Sequence, residues 1–188
     1  TVEKTHTPGI GSKYADQYAG KGVVSKKVPD DHMPVDSQGN RADMIMDPGG
    51  TMNRTIPARL NEQYLTGSAR DLTKLISSLV NIPVGTSKSV SLHKLDRNSP
   101  AVLQAWEHWA RWYKIINPQV GQWIDEGKVG ADKLDTICHI LQHGATIYYP
   151  SDSPVEVLDV IRKLEATPYR PTYGPVSYVD GLGRRVVT

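Results

Sequence analysis

A chain of 188 residues suits one domain or a large fragment of a longer protein. A net charge of only +2 excludes a globally basic nucleic-acid binder, and a 38% hydrophobic content without phenylalanine allows only a modest core. A single cysteine, Cys138, excludes an internal disulfide and points to a reducing compartment, and no long apolar run or leader is seen. The chain therefore reads as soluble and cytoplasmic, with no membrane partner.

Charge is local instead. Within residues 1–27, Lys4, Lys13, Lys21, Lys26 and Lys27 outnumber Glu3 and Asp16. Residues 1–12 are polar and broken by Pro8, Gly9 and Gly11, as expected of a cut end, a tail lying on a partner, or an ordinary disordered terminus. Lys13 and Lys21 then lie eight apart in a small-residue loop that runs into Gly22-Val23-Val24-Ser25. Residues 22–28 and 41–46 read as short strands, with Asp36-Ser37-Gln38-Gly39-Asn40 turning between them. So few strands cannot bury two faces by themselves. A second glycine loop, Asp47-Pro48-Gly49-Gly50, leads to Arg54.

Beyond residue 57 the character is helical. Ala58–Leu65 and Ser68–Val80 carry apolar residues at helical spacing, with Ser68 as an N-cap for the second. Residues 81–98 read as a polar loop with a short strand at Val90–Leu92. Ser99-Pro100 opens the clearest helix, serine suiting the cap and proline the first turn, with Val102, Trp106, Trp109, Tyr113 and Ile116 on one stripe. Trp112 falls off that stripe and is expected to face a partner subunit. Asn117-Pro118 marks a break and a new start, and Ala131–His143 is a further helix stopped by Gly144. Thr146–Tyr149 reads as a strand, Ser153–Glu156 as a capping box for a helix to Ala166, and Val176–Asp180 with Arg184–Val187 as a terminal hairpin.

Three cations among glycines are the strongest chemical signal. Glycines flanking Lys21 let a ligand approach the backbone, and lysine and arginine together suit a phosphate chain. Taken alone, such lysines are more often simply solvated. A phosphate-loop reading fails, because Gly22 follows Lys21 where serine or threonine is needed and Ala15 stands where the first glycine belongs. His139 and His143 lie one helical turn apart, but neither an acidic partner nor a second Cys/His pair follows, so no metal site is expected and Cys138 is assigned to the core. Residues Asp36, Asn40 and Asp43 form a turn and no calcium loop.

The same stretch resembles the catalytic-centre segment of the β subunit of multisubunit, bacterial-type RNA polymerases. The family pattern G-D-K…R-H-G-N/Q-K-G-V-I/V-S is matched by Gly11-Ser12-Lys13 and Lys21-Gly22-Val23-Val24-Ser25. The E-D-M-P segment is matched by Asp31-His32-Met33-Pro34, and N-P-x-G-x-P-S-R-M-N by Asp47 through Arg54, without a gap from Lys13 to Arg54. Near the end, Tyr178-Val179-Asp180-Gly181-Leu182-Gly183-Arg184 resembles Y-D-G-x-T-G-E. The chain departs from the pattern at Gln17-Tyr18-Ala19-Gly20, where arginine and histidine are missing, and at Met52-Asn53.

The resemblance implies an α+β chain. Residues 1–57 would be part of a double-psi β-barrel, 58–170 a helical subunit-contact region, and 171–188 a hairpin leading to the next segment. It implies that Lys13 and Lys21 lie beside the RNA 3′ end and that Arg54 reaches the phosphates of the incoming nucleotide. It further implies Mg2+ held by another subunit, and as partners the rest of a β-like subunit, a β′-like subunit, an RNA–DNA hybrid and NTP. The departures fit a divergent, phage-encoded split subunit, in an infected cell's cytoplasm or a virion, inactive as an isolated chain. The rival reading is a small helical adaptor with a basic N-terminal arm, docking through its tryptophan face.

Overall fold

Strand-forming residues are sparse in the N-terminal part of the chain, and the sheets they make are correspondingly small. The computed structural model describes residues 5, 7–18, 20–36, 39–85, 95–149 and 155–188. It is mixed α and β, in two compact units, one of residues 1–60 with 173–188 and the other of residues 61–172.

In the first unit, β1 (Lys13–Ala15) and β2 (Lys21–Val23) form an antiparallel ribbon with Lys13 opposite Val23 and Ala15 opposite Lys21. The ribbon closes because Asp16 is a turn residue: its Oδ1 accepts the backbone N–H groups of Tyr18 at 3.0 Å and Gly20 at 2.7 Å. The partner of β2 is thus the chain just before it, where the sequence pattern had pointed to residues 41–46. Those residues form no strand, only an isolated bridge from Arg41 to Val35. Of the expected Asp36–Asn40 turn, Ser37 and Gln38 lie outside the described residues, while its two ends meet, with the Asn40 N–H donating to Asp36 Oδ1 at 2.8 Å. A short 3-10 turn (Asp30–His32) precedes β3 (Val35–Asp36), and α1 (Gly49–Asn53) follows.

The terminal hairpin appears where its turn residues place it, as β4 (Val176–Val179) and β5 (Arg185–Val187). Asp180 anchors it by accepting the N–H groups of Arg184 and Leu182 on Oδ1, which holds its carboxyl below the usual aspartate range. The hairpin is not isolated. It adds to β3, giving the strand order β3-β4-β5.

The second unit is helical, built from α2 (Pro57–Val80), α3 (Pro100–Ile116), α4 (Pro118–Asp125), α5 (Lys133–His143) and α6 (Val157–Glu165). Its core centres on α3, which packs against α4, α5 and α6. The α2 stripe of Leu65, Ala69, Leu72, Ile76 and Val80 joins it, at the spacing a helix needs to keep one face inward.

Ser68 does not start a helix. It sits inside the continuous α2, fully buried, where its hydroxyl donates to the Tyr169 carbonyl at 2.6 Å and accepts from Trp112 Nε1–H at 2.9 Å. Two partners remove the cost of burying a polar group, so the cap the pattern predicted is not needed. Trp112 itself is wholly buried, a correction to its expected outward position, because its one polar atom is satisfied by Ser68.

Asn117 ends α3 and caps α4 as predicted. Its Oδ1 accepts from the N–H of Gln119 and Val120, and its Nδ2 donates to the Tyr148 carbonyl. That bond serves Thr146–Tyr149, the segment expected as a strand, which forms no strand among the described residues. Gly144 closes α5 at φ +82°. α5 starts at Lys133, two residues later than the expected Ala131, with Asp132 as its cap. Val90–Leu92, and Ser153 with Pro154 of the expected capping box, lie outside the described residues; α6 starts at Val157 with Glu156 at its cap position. No described helix is long and apolar enough to cross a membrane.

Candidate functional site

The ribbon geometry decides where the lysines point. Cross-strand partners share a face of an antiparallel pair, so Lys13, Ala15, Lys21 and Val23 lie on one face and Tyr14 and Gly22 on the other. Lys13 and Lys21 are therefore diagonal neighbours, at a spacing of about 7–8 Å in such ribbons. Gly22 serves the opposite face: a Cβ there would collide with the ring of Tyr14, so this glycine makes room for an aromatic side chain.

Lys21 lines an open cleft of about 1010 Å³ in the first unit, and Arg54 lines the same cleft from the end of α1. Lys13 is not among its lining residues, although it shares the ribbon face with Lys21. Lys26, Lys27, Arg41 and Arg59 add cations to the wall, against Asp30, Asp43 and Asp47. Two arginines are already engaged, Arg41 with Asp30 and Arg59 with Asp16. Among the described residues Lys13, Lys21 and Arg54 have no ion-pair partner. The cleft thus presents uncommitted positive charge, the requirement for holding a polyanion. Exposed Val23, Met44 and Ile45 give it an apolar side as well.

α1 is short, and its end projects Arg54. The chain turns at Thr55, whose φ of +52° is unusual for a β-branched residue, with the Ile56 N–H bonding back to the Thr51 carbonyl. Asp47 steadies the other end by accepting the Gly49 N–H at 3.1 Å.

Sequence reasoning passed over Asp16 and Arg59. In the charge pattern Asp16 is only a counter-charge, although an aspartate four residues before a glycine in a tight loop is itself a turn signal. Nothing in the local pattern singles out Arg59, whose role depends on a contact across forty-three positions.

The remaining polar constellations lie in the second unit. His139 and His143 are exposed, with ring centroids 4.8 Å apart. No group of three metal-ligating side chains occurs among the described residues. Cys138 is half-buried and its thiol is pushed up, first by desolvation and then by the charges of Asp135 and Asp132, which disfavours the thiolate. Of the tryptophans, Trp109 and Trp112 are buried, while Trp106 donates to the Gly130 carbonyl at 3.0 Å beneath the Lys133 ammonium.

Fold and cleft together define a small α+β unit with lysine and arginine lining an open cleft, joined to a helical unit. The chain belongs to the family described as RNA polymerase Rpb2, domain 6, whose model matches residues 1–143. Relatives include DNA-directed RNA polymerase subunit beta of Neorickettsia risticii, 32% identical over 106 residues, which are 55% of this chain and 8% of that protein. The same subunit of Neorickettsia sennetsu is 33% identical over 105 residues, 54% of this chain and 8% of the relative. That of Carsonella ruddii is 33% identical over 73 residues, 39% and 6% respectively. The matched stretch thus spans less than a tenth of the length of these curated relatives.

Proposed function

We propose that this chain is a segment or split subunit of the β-like subunit of a DNA-directed RNA polymerase, and that it supplies cations to the nucleotidyl-transfer centre. In this reading Lys13 and Lys21 hold the RNA 3′ end, and Arg54 holds the phosphates of the incoming NTP. Nucleotidyl transfer builds negative charge on the phosphates as the RNA hydroxyl attacks and pyrophosphate leaves. Fixed cations stabilise that charge without covalent work. The observation that carries the proposal is the meeting of Lys21 and Arg54 on one cleft, from loops more than thirty positions apart, with both charges uncommitted.

The small sheets of the first unit would be part of a double-psi β-barrel, completed by strands from the rest of the β-like subunit. Exposed Val23, Met44 and Ile45 support this, since they give such strands an apolar surface to cover. Mg2+ would be held by the β′-like subunit, and the RNA–DNA hybrid would bind only in the assembled, cytoplasmic enzyme. A phage-encoded split polymerase is the source that best fits the departures from the bacterial motif. The adaptor alternative loses its footing, because Trp109 and Trp112, which should form its docking face, are turned inward.

Alanine at Lys21 or at Arg54 in the assembled enzyme is the direct test. Each variant is expected to assemble normally and to slow elongation by about 10²–10³-fold, the usual cost of losing one charge-stabilising group. Near-wild-type elongation by both would overturn the proposal.

A further inference from the structure

The turn before Lys21 and the helix that carries Arg54 are tied together by one side chain. Arg59 forms an ion pair with Asp16, and its Nη1 donates to Thr51 Oγ1 at 2.9 Å. Both ends of this link are themselves fixed. Asp16 holds the N–H groups of Tyr18 and Gly20, and its own N–H donates to the Gly20 carbonyl at 2.9 Å, so the carboxylate sets the turn that delivers Lys21. Thr51 is buried in α1, one turn before Arg54.

Two further observations distinguish this pair from ordinary surface charges. The side chains of Arg59 and Asp16 are only 14% and 29% exposed, so solvent screens them far less than an exterior pair. Gly20 also lies against them: a Cβ at that position would collide with Arg59 Nη2 and come within 3.0 Å of Asp16 Oδ1. Gly20, Asp16 and Arg59 therefore form one interlocked arrangement, located where the chain lacks the arginine and histidine of the bacterial motif.

We propose that Asp16 and Arg59 are positioning residues that fix the separation of Lys21 and Arg54, so that both reach one nucleotide phosphate chain together. Neither needs to touch the ligand. Arg59 spends its fork on Asp16 and Thr51, which leaves Lys21 and Arg54 for the phosphates. The inference rests on the polymerase reading given above. It adds to that reading a reason why the two loops keep their register without the missing motif residues.

The test is single-nucleotide addition by the assembled polymerase containing this chain, with KM for NTP and kcat measured separately. Asp16→Asn keeps the shape and removes the charge; Arg59→Gln removes the fork; Lys21→Ala and Arg54→Ala are run beside them. We expect Asp16→Asn and Arg59→Gln to lower kcat/KM by about 10–100-fold, as a small misplacement of a binding group does. In the Lys21→Ala background, Asp16→Asn should add less than about twofold, because its effect passes through Lys21. Full additivity there, or near-wild-type kinetics for Asp16→Asn beside an impaired Lys21→Ala, overturns the clamp and leaves the polymerase reading standing. Near-wild-type Lys21→Ala and Arg54→Ala would remove both. A purely structural role would reduce the assembled fraction but leave kcat and KM of what assembles unchanged, which also refutes the proposal. Should Arg59→Gln fail to assemble, Asp16→Asn carries the test, with loss of amide-exchange protection at Gly20 as the sign that the turn has opened.

Discussion

Ser68→Ala isolates the polar contact at the centre of the helical unit. The substitution strands two groups, the Trp112 indole N–H and the Tyr169 carbonyl. Trp112 is wholly buried, so water cannot replace the lost acceptor, and an unsatisfied buried donor costs about 1–3 kcal/mol. Tyr169 is only half-buried, and water can serve its carbonyl at small cost. Against this, alanine is the better helix former by up to roughly 0.5 kcal/mol. The expected net loss is about 2 kcal/mol. With a urea m-value of about 2 kcal/mol/M, the unfolding midpoint should fall by about 1 M. The assay is urea denaturation followed by tryptophan fluorescence, repeated in a Trp112→Phe background. Phenylalanine has no N–H to strand, so there Ser68→Ala should cost less by that same amount, about 1–3 kcal/mol, and the difference is the coupling between the two residues. A loss below about 0.5 kcal/mol, or the same loss in both backgrounds, would refute the reasoning.

Two other perturbations test the same unit. Gly130 has φ +67° and a Cβ there would lie 2.6 Å from the Trp109 ring, so Gly130→Ala combines backbone strain with overpacking and should cost about 2–4 kcal/mol. A thermal midpoint equal to wild type would show that the ring yields. Burial, and then the neighbouring Tyr113, push the Tyr149 hydroxyl up to about 12. The folded state then holds a proton that the unfolded state releases near the ordinary value of 10.0, so stability should decline between pH 10 and 12. Tyr149→Phe should flatten that decline, and an unchanged slope would assign it to another group.

What the sequence disclosed and what it hid follow a physical line. Local chemistry was legible: the Asn117 cap, the proline starts of α3 and α4, the Gly144 stop and the Asp180 turn depend on neighbours a few positions away. The cations were legible too, since Lys21 and Arg54 stand out among glycines and both line the cleft. Contacts that span the chain were not. Ser68 looks like a cap until Trp112, forty-four positions on, supplies its partner. Trp112 looks external on a wheel because the partner that satisfies its N–H, Ser68, comes from another helix forty-four positions back. The strand pairing was misread for a related reason. Residues 41–46 have strand composition, but β2 meets Lys13–Ala15 first across a short turn, and β3 pairs with a hairpin more than 130 positions away.

The two units also differ in how well they bury themselves, and that difference leads to a measurement. Among the described residues of the first unit, Met33 is the one buried hydrophobic side chain, whereas the helical unit buries a continuous cluster from Leu65 to Leu164. Amide exchange through local opening follows such burial. In the isolated chain, the amides of Ile76, Ile116 and Ile137 should exchange only on global unfolding. Those of β1 and β2 should exchange far faster, their free energy of opening lying near zero. Equal protection in β2 and α3 would mean that the first unit has stability its burial does not explain. The assembled state sharpens the test. If strands of another chain complete the sheet, protection should appear at β2 and across residues 42–47, where exposed Met44 and Ile45 await a cover, and should leave α3 unchanged. Protection confined to the helices would instead place the contact on the second unit, and the apolar side of the cleft would need another occupant.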